Sequence, residues 1–249
     1  MNIIEDNIDK KVKKRKRAIV FLVMILICTI SFIVIFKTDL FIVNQVVVIG
    51  NHLISKDEIT KDSGIILGNH IFKEKISVIQ SNLLKNPYIQ TANVERKLPD
   101  KIVVHVVERK EEAAIPFMDE FLIIDKNGMV LKSVSTSGNL KVIRGLEFSN
   151  FMAGEILKVK DEKQLHRALK IVNGIYENQM TIVELDVTNK NDIIIRLTNV
   201  LICKIGNGKN LNYRLQVLQH ILHDLSSKDI SRGVIDISHE GYPSYRPVE

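Results

Sequence analysis

The residue types that could do acid–base or metal chemistry are thinly spread in this chain. His220 and His223 stand three residues apart in a segment with helical periodicity, a spacing that can offer two imidazoles to one metal ion. Both fall off the apolar stripe of that helix: His220 lies roughly 200° from Leu218, and His223 the same angle before Leu225, so both are expected to face solvent. No glutamate is placed as the zinc-protease motif requires. His105 alternates with Val104 and Val106 and is expected on one face of a sheet, while His239 sits in a polar turn, and neither has a recognisable partner. Gly206-Asn207-Gly208 precedes a helix but lacks the third glycine of the dinucleotide fingerprint and the Lys-Ser/Thr pair of a P-loop, so it reads as a strand-to-helix turn. There is no Gly-x-Ser-x-Gly, and no Cys-His arrangement outside the apolar segment described below. Glu111 and Glu112 read as a solvated junction. The expectation is a protein without catalytic residues, cofactor or metal.

The elements that hold these residues begin with a run of nineteen uncharged residues, Ala18 to Phe36, directly behind Lys10, Lys11, Lys13, Lys14, Arg15, Lys16 and Arg17. As a helix the run is about 28 Å long, close to the hydrocarbon thickness of a bilayer. It is longer than the apolar region of a secretory signal and ends Ile33-Val34-Ile35-Phe36-Lys37 without a small-residue cleavage site, so it reads as a retained anchor. Basic residues favour the cytoplasmic side, which places 1–17 inside as a basic tail, 18–36 across the membrane and 37–249 outside. Residues 1–17 hold seven basic and three acidic side chains, net +4 of the chain's +6, so the remainder is nearly neutral. The basicity is therefore a topology signal with a potential contact to anionic lipid, and no nucleic-acid partner is expected. Of the two cysteines, Cys28 lies in the span and Cys203 in an expected strand, so no disulfide is expected.

The exterior part divides in two. Val46 to Ile49 is a strand closed by Gly50-Asn51; Ser55-Lys56-Asp57-Glu58 has the form of a capping box starting a short helix to about Asp62. Phe72, Ile76, Ile79 and Leu83 recur at helical spacing, and Asn86-Pro87 ends that helix. Ile89 to Arg96 and Lys101 to Glu108, joined by Leu98-Pro99-Asp100, read as a hairpin, so residues 43–110 form a β-α-α-β-β unit. In the remainder, 111–249, Phe121 to Ile124 and Met129 to Leu131 flank the Asn127-Gly128 turn. A helix from about Asp161 to Glu177 carries Leu165, Leu169, Val172 and Tyr176 on one side. Strands follow at Ile182 to Val187, Asp192 to Leu197 and Val200 to Ile205, then a helix with Leu211, Leu215, Leu218, Leu222 and Leu225, then a last strand from Val234 to Ser238. The fold class is α+β, and this second part is a mostly antiparallel sheet with two helices.

With chemistry disfavoured, binding remains. Sheet edges accept partner strands through backbone hydrogen bonds, and Gly241 to Pro247, carrying Tyr242 and Tyr245, follows the last strand. The residues alone leave this segment open between a frayed tail and a partner-accepting edge, with the frayed tail slightly ahead.

A set of short segments in fixed order carries a resemblance that reverses this ranking: Val48-Ile49-Gly50-Asn51, Asn86-Pro87-Tyr88-Ile89, Ala92-Asn93-Val94-Glu95-Arg96, Leu98-Pro99-Asp100-Lys101-Ile102, Val106-Val107-Glu108-Arg109, Ala113 and Ile124 to Gly128. With Val142 to Leu146, Gly154 and Val234 to Ser238 behind a single anchor, the chain resembles the FtsQ/DivIB family of bacterial cell division proteins over essentially its whole length. The resemblance implies a POTRA domain next to the membrane and a following β domain. It also implies a non-enzymatic scaffold at the division septum, binding FtsL-like and DivIC/FtsB-like membrane proteins among other division proteins. A partner strand would then add to the terminal edge, making Ile235, Ile237, Gly241, Tyr242, Ser244, Tyr245 and Arg246 the candidate contact residues. Two other classes are weighed against this. A POTRA-containing transport receptor would normally continue into an outer-membrane barrel, whose alternating strands are not evident here. A membrane-tethered hydrolase would need convergent titratable groups.

The anchor generates the first prediction. Protease added to intact protoplasts is expected to remove the exterior domains and leave a short membrane-bound stub, whereas a protected full-length chain would refute this orientation.

Overall fold

The computed structural model describes residues 2–239 and 241–248; among these, the side chains of 2–13 and of Phe36 are not described. Met1, Glu240 and Glu249, included in the expected tail and in 111–249, lie outside the described residues, as do the side chains of Lys10, Lys11 and Lys13.

Helix α1 (Asn2–Lys37) is longer than the expected span, because the basic segment continues the helix toward the N-terminus. Its Lys14–Ile35 stretch is the one helix, among the described residues, long and apolar enough to cross a membrane. Side chains such as Phe21, Leu22 and Phe32 are exposed along it, an arrangement that water penalises and a bilayer accepts, and it fits a single-pass membrane protein. The carbonyls left over at its end are not bare: Thr38 Oγ1 donates to Val34 O, and His70 Nε2 donates to Ile35 O at 2.7 Å.

The chain then forms two compact units, one reaching Leu84 and including Thr91–Val107, the other combining Lys85–Gln90 with Glu108 onward. The first contains β1 (Gln45–Ile49), α2 (Lys56–Ser63), α3 (Ile76–Leu83), and most of β2 (Ile89–Lys97) and β3 (Lys101–Glu108), with a sheet ordered β1-β3-β2. Strand β1 runs parallel to β3, pairing Val46 with Ile102 and Val48 with Val104. The Ser55 cap of the expected capping box forms, Ser55 Oγ accepting from the Glu58 amide at 3.1 Å, and Gly64 at φ 71° closes α2. Gly50 has no substitute: a Cβ there would lie 2.2 Å from Val106 O. Phe72 is a correction, since α3 starts only at Ile76. Arg96 claims the carbonyls of Ile71 and Glu74 at 3.0 and 2.7 Å and holds residues 71–74 in turns, so Phe72 stays half exposed against the rings of Phe41 and His70.

In the second unit the strands are β4 (Ala113–Phe117), β5 (Glu120–Ile124), β6 (Val130–Val134), β7 (Lys141–Arg144), β8 (Glu184–Asp186), β9 (Ile193–Arg196), β10 (Leu201–Gly206), β11 (Gly233–Asp236) and β12 (Ser244–Arg246). Among the described residues they form one nine-stranded sheet ordered β12-β11-β10-β9-β8-β7-β4-β5-β6. The pairings β10 with β11, β7 with β8 and β4 with β7 are parallel and the other five antiparallel, which makes the sheet mostly antiparallel. Strands β4, β7 and β12 were not among the expected strands. Helices α4 (Glu162–Glu177) and α5 (Leu211–Ser227) cover one face, burying Leu165, Ile171, Val172, Leu215 and Leu218 against Leu185, Ile195, Cys203, Ile205 and Ile235. The helices touch at Gly174, where a Cβ would come within 2.8 Å of Leu215. Tyr176 is a second correction: Ile175 is the buried residue of that turn, because Ala168, Ile171 and Val172 set the helix phase and leave Tyr176 outside.

This packing sets the second prediction. Leu218 is fully buried, so Leu218→Ala should destabilise the exterior part by about 2–5 kcal/mol in chemical unfolding, while exposed His220→Ala should cost roughly 0.5 kcal/mol or less. Comparable losses at both positions would contradict the packing of α5.

Candidate partner-binding edge

The end of the sheet is built from the core outward. Ile235 and Ile237 are 0% and 5% exposed and belong to the core cluster under α4 and α5, which fixes the height and direction of β11. Buried Arg214 on α5 ties the strand to its helix, its Nε donating to Lys209 O at 2.9 Å and its Nη1 to Ile237 O. Asp236 Oδ1 accepts from the Ser238 amide at 3.0 Å and from Ser238 Oγ at 2.7 Å, with His239 Nδ1 at 3.6 Å. Burial opposes ionisation of Asp236, but these two hydrogen bonds and the nearby His239 and Lys204 outweigh it and lower its pKa below the ordinary aspartate value. His239 therefore has a neighbour that the sequence did not reveal.

Backbone alternation then decides what the outer strand offers. Gly233 N donates to Val200 O at 2.9 Å and Ile237 N to Lys204 O at 3.0 Å, so residues 233, 235 and 237 face β10 and residues 234 and 236 face the other way. On that side β12 lies antiparallel, with Arg246 opposite Val234, Tyr245 opposite Ile235 and Ser244 opposite Asp236. Ser244 and Arg246 are thus committed to β11, whereas the N–H and C=O of Tyr245 point away from the sheet. Two residues on either side of Tyr245 stand Pro243 and Pro247, which have no N–H to give. Tyr245 is consequently the single outward donor from 243 to 247.

Tyr245 also holds β12 in place. Its ring packs on the core cluster and its hydroxyl donates to Arg232 O at 2.5 Å. Gly233, at φ 140°, makes room for it: a Cβ would lie 2.6 Å from the ring and 2.7 Å from Arg246 O. Tyr242, by contrast, is 94% exposed, and Gly241, Ser244 and Arg246 are exposed. A pocket of about 260 Å³ opens beside this segment, lined by Tyr213, Arg214, Val217, Ile237, His239, Gly241 and Pro243 among others.

The structure thus narrows the candidate set. Ile235 and Ile237 are corrected from contact residues to buried supports, because their side chains enter the core and β12 closes the edge of β11. Gly241, Tyr242, Ser244, Tyr245 and Arg246 share one rim. Tyr213 and Val217 were missed; their only sequence signal was an aromatic and an aliphatic residue standing off the leucine stripe of α5.

The other candidate groups do not converge with this rim. His105, His220 and His223 are exposed. Among the described residues no group of three or more His, Cys, Asp or Glu is arranged to hold a metal ion. Cys203 is buried in β10, and burial pushes its thiol far above the ordinary range. Glu111 and Glu112 are corrected from solvated to paired: Glu111 meets Tyr88 OH at 2.6 Å and Lys132 Nζ at 2.7 Å, and Glu112 meets Lys141 Nζ at 3.3 Å. Partial burial works against the Glu111 carboxylate, yet the hydrogen bonds from Lys132 and Tyr88 prevail and lower its pKa.

Comparison with known proteins matches the two units in turn. Residues 41–109 fit the family model "POTRA domain, FtsQ-type", and residues 116–238 fit "Cell division protein FtsQ/DivIB, C-terminal". The chain is 32% identical over 245 residues to a cell division protein DivIB of Clostridium botulinum strain Hall, covering 94% of both chains. The chain belongs to the FtsQ/DivIB family of cell division proteins. A DivIB of Clostridium tetani is 31% identical, covering 88% of this chain and 84% of its own. A protein named FtsQ in Syntrophotalea carbinolica is 29% identical over 56% of this chain and 49% of its own. The FtsQ/DivIB C-terminal match ends at Ser238, so β12 and the exposed rim of this family member fall just beyond it.

Gly233→Ala is predicted to free β12 while leaving the helices and the rest of the sheet intact, at a cost of about 1–3 kcal/mol from overpacking. Hydrogen exchange should become faster at the Ser244 and Arg246 amides with little change at Ile195 and Cys203. Unchanged protection of β12 would contradict the role given to Gly233.

Proposed function

We propose that the chain is a non-enzymatic scaffold of the division machinery, anchored in the cell membrane with its N-terminus cytoplasmic and both exterior domains, 43–110 and 111–249, outside, at the septum. It acts by capturing FtsL-like and DivIC/FtsB-like membrane partners and so promotes assembly of the septal complex. The observation that carries this reading is the outer strand β12, whose Tyr245 turns its N–H and C=O away from the sheet beside a pocket. Family membership supports a division role in general, and relatives named as cell division proteins support a role without catalysis. A partner strand pairs with Tyr245 through the backbone, while a partner side chain enters the pocket next to Tyr213 and Val217, and Tyr242 packs across it.

The register makes the test specific. Tyr245→Pro removes the one outward donor and should weaken capture of a DivIC-type partner, whereas Ser244→Ala and Arg246→Ala, which keep their backbone bonds to β11, should be tolerated. Deleting 241–249 should leave the exterior domains folded but prevent the protein from supporting division. Unchanged partner affinity in the truncated chain would refute the edge and direct attention to the POTRA domain.

A further inference from the structure

A second surface lies within the first unit, beside the end of α1. The carbonyl of Ile35, one residue before the end of the apolar run, accepts from His70 Nε2 at 2.7 Å. This bond fixes depth: the imidazole of His70, which belongs to the POTRA domain, sits at the level where the hydrocarbon core ends. Its sequence neighbours must lie near that level too. They include Ile66 and Leu67, which are 60% and 56% exposed, and Phe72, 44% exposed. Leu40 is 53% exposed in the short 3-10 turn Asp39–Phe41, and the adjoining Ile42 bridges to His70. The β2–β3 turn reaches the same end, because Asp100 O accepts from Asn44 N at 2.9 Å, and it brings exposed Leu98 with it.

These side chains are organised rather than scattered. The rings of Phe41, His70 and Phe72 meet with centroids 5.7 to 6.3 Å apart, and the Arg96 guanidinium lies 6.0 Å over Phe72. Exposed Lys37, Lys73 and Lys75 accompany them. Aromatic and aliphatic groups with lysines among them, held at the depth of a helix end, match the composition of the membrane–water interface.

We propose that this end of the POTRA domain is a bilayer-docking surface, with Leu40, Ile66, Leu67, Phe72 and Leu98 resting in the interfacial layer of the outer leaflet and the lysines reaching the headgroups. Docking there fixes the domain's tilt on its anchor, together with the His70 bond to Ile35 O. The inference rests on the membrane span and not on β12, so it fails or stands apart from the scaffold reading.

The chain contains no tryptophan, so single substitutions report on single positions. Leu67→Trp, Phe72→Trp and Leu98→Trp are to be compared with Leu53→Trp, an exposed site beyond the far end of β1, each in the full-length protein reconstituted into phosphatidylcholine–phosphatidylglycerol vesicles carrying brominated acyl chains. At the three surface positions quenching should be at least twice that at position 53, and stronger with bromine near the glycerol end than near the methyl end. Equal quenching at all four positions would overturn the proposal. So would blue-shifted emission at position 67 that ignores brominated lipid, because it would mean cover by protein. Flotation of each variant with the vesicles and an unchanged thermal unfolding profile confirm the span and the fold, so a missing quench then counts against the surface itself. Agreement between separate segments at 67 and 98 ensures that no single variant decides.

Discussion

The candidate edge of the second unit depends on one constraint, the division of the β11 backbone between two neighbours. Residues 233, 235 and 237 spend their hydrogen bonds on β10, and 234 and 236 spend theirs on β12. Nothing about the outer strand is free once that is set. Ser244 and Arg246 must turn inward, Tyr245 must turn its amide outward, and its side chain must fall on the same face as that of Ile235, which is the core face. The hydroxyl bond to Arg232 O and the vacancy above Gly233 follow from that placement.

The core enforces the constraint from beneath. Ile235 and Ile237 are locked by α4 and α5, Arg214 pins the Ile237 carbonyl, and Gly206 is required because a Cβ there would lie 2.7 Å from Ser238 O. A one-residue slip of β11 would move Ile235 and Ile237 to the open face and Val234 and Asp236 into the core, burying a carboxylate whose hydrogen bonds come from Ser238. Register is therefore secured by burial, and the exposed strand inherits it at no cost of its own.

Much of this was legible in the sequence where the signal is local. The leucine stripe of α5, the Ser55 cap, the Asn127-Gly128 turn and the helical form of the apolar N-terminal run each rest on residues a few positions apart, and each is found where the sequence places it. What was not legible depends on distant pairing. Strand β4 contains Pro116, which argues against a strand, but β7 pairs only with Ala113 and Ala114, so the missing donor falls beyond the ladder. Strand β7 has four residues and stands far from β8 in sequence, and β12 has three between two prolines. Phe72 kept the helical period, yet Arg96, distant in sequence, took the carbonyls that a longer α3 would have used. In the candidate site the sequence points to a segment but not to which of its residues face outward, because that depends on a register only the paired strands define.

The two prolines set the energetics of any partner on this edge. Such flanking prolines guard an open edge against indiscriminate strand pairing, and they leave Tyr245 with one donor and one acceptor for an incoming strand. Two backbone hydrogen bonds contribute about 1–3 kcal/mol net, less than the roughly 4 kcal/mol that even millimolar affinity requires. A specific partner must therefore draw most of its binding energy from side chains, and the exposed Tyr242 and the pocket beside Tyr213 are the groups placed to provide it. Under the proposed function confinement would supply the rest, since a chain held by α1 and a partner held in the same membrane would meet at a high effective concentration. In the proposed scaffold the short guarded edge and the membrane anchor would be complementary, the first giving selectivity and the second making a weak strand contact sufficient.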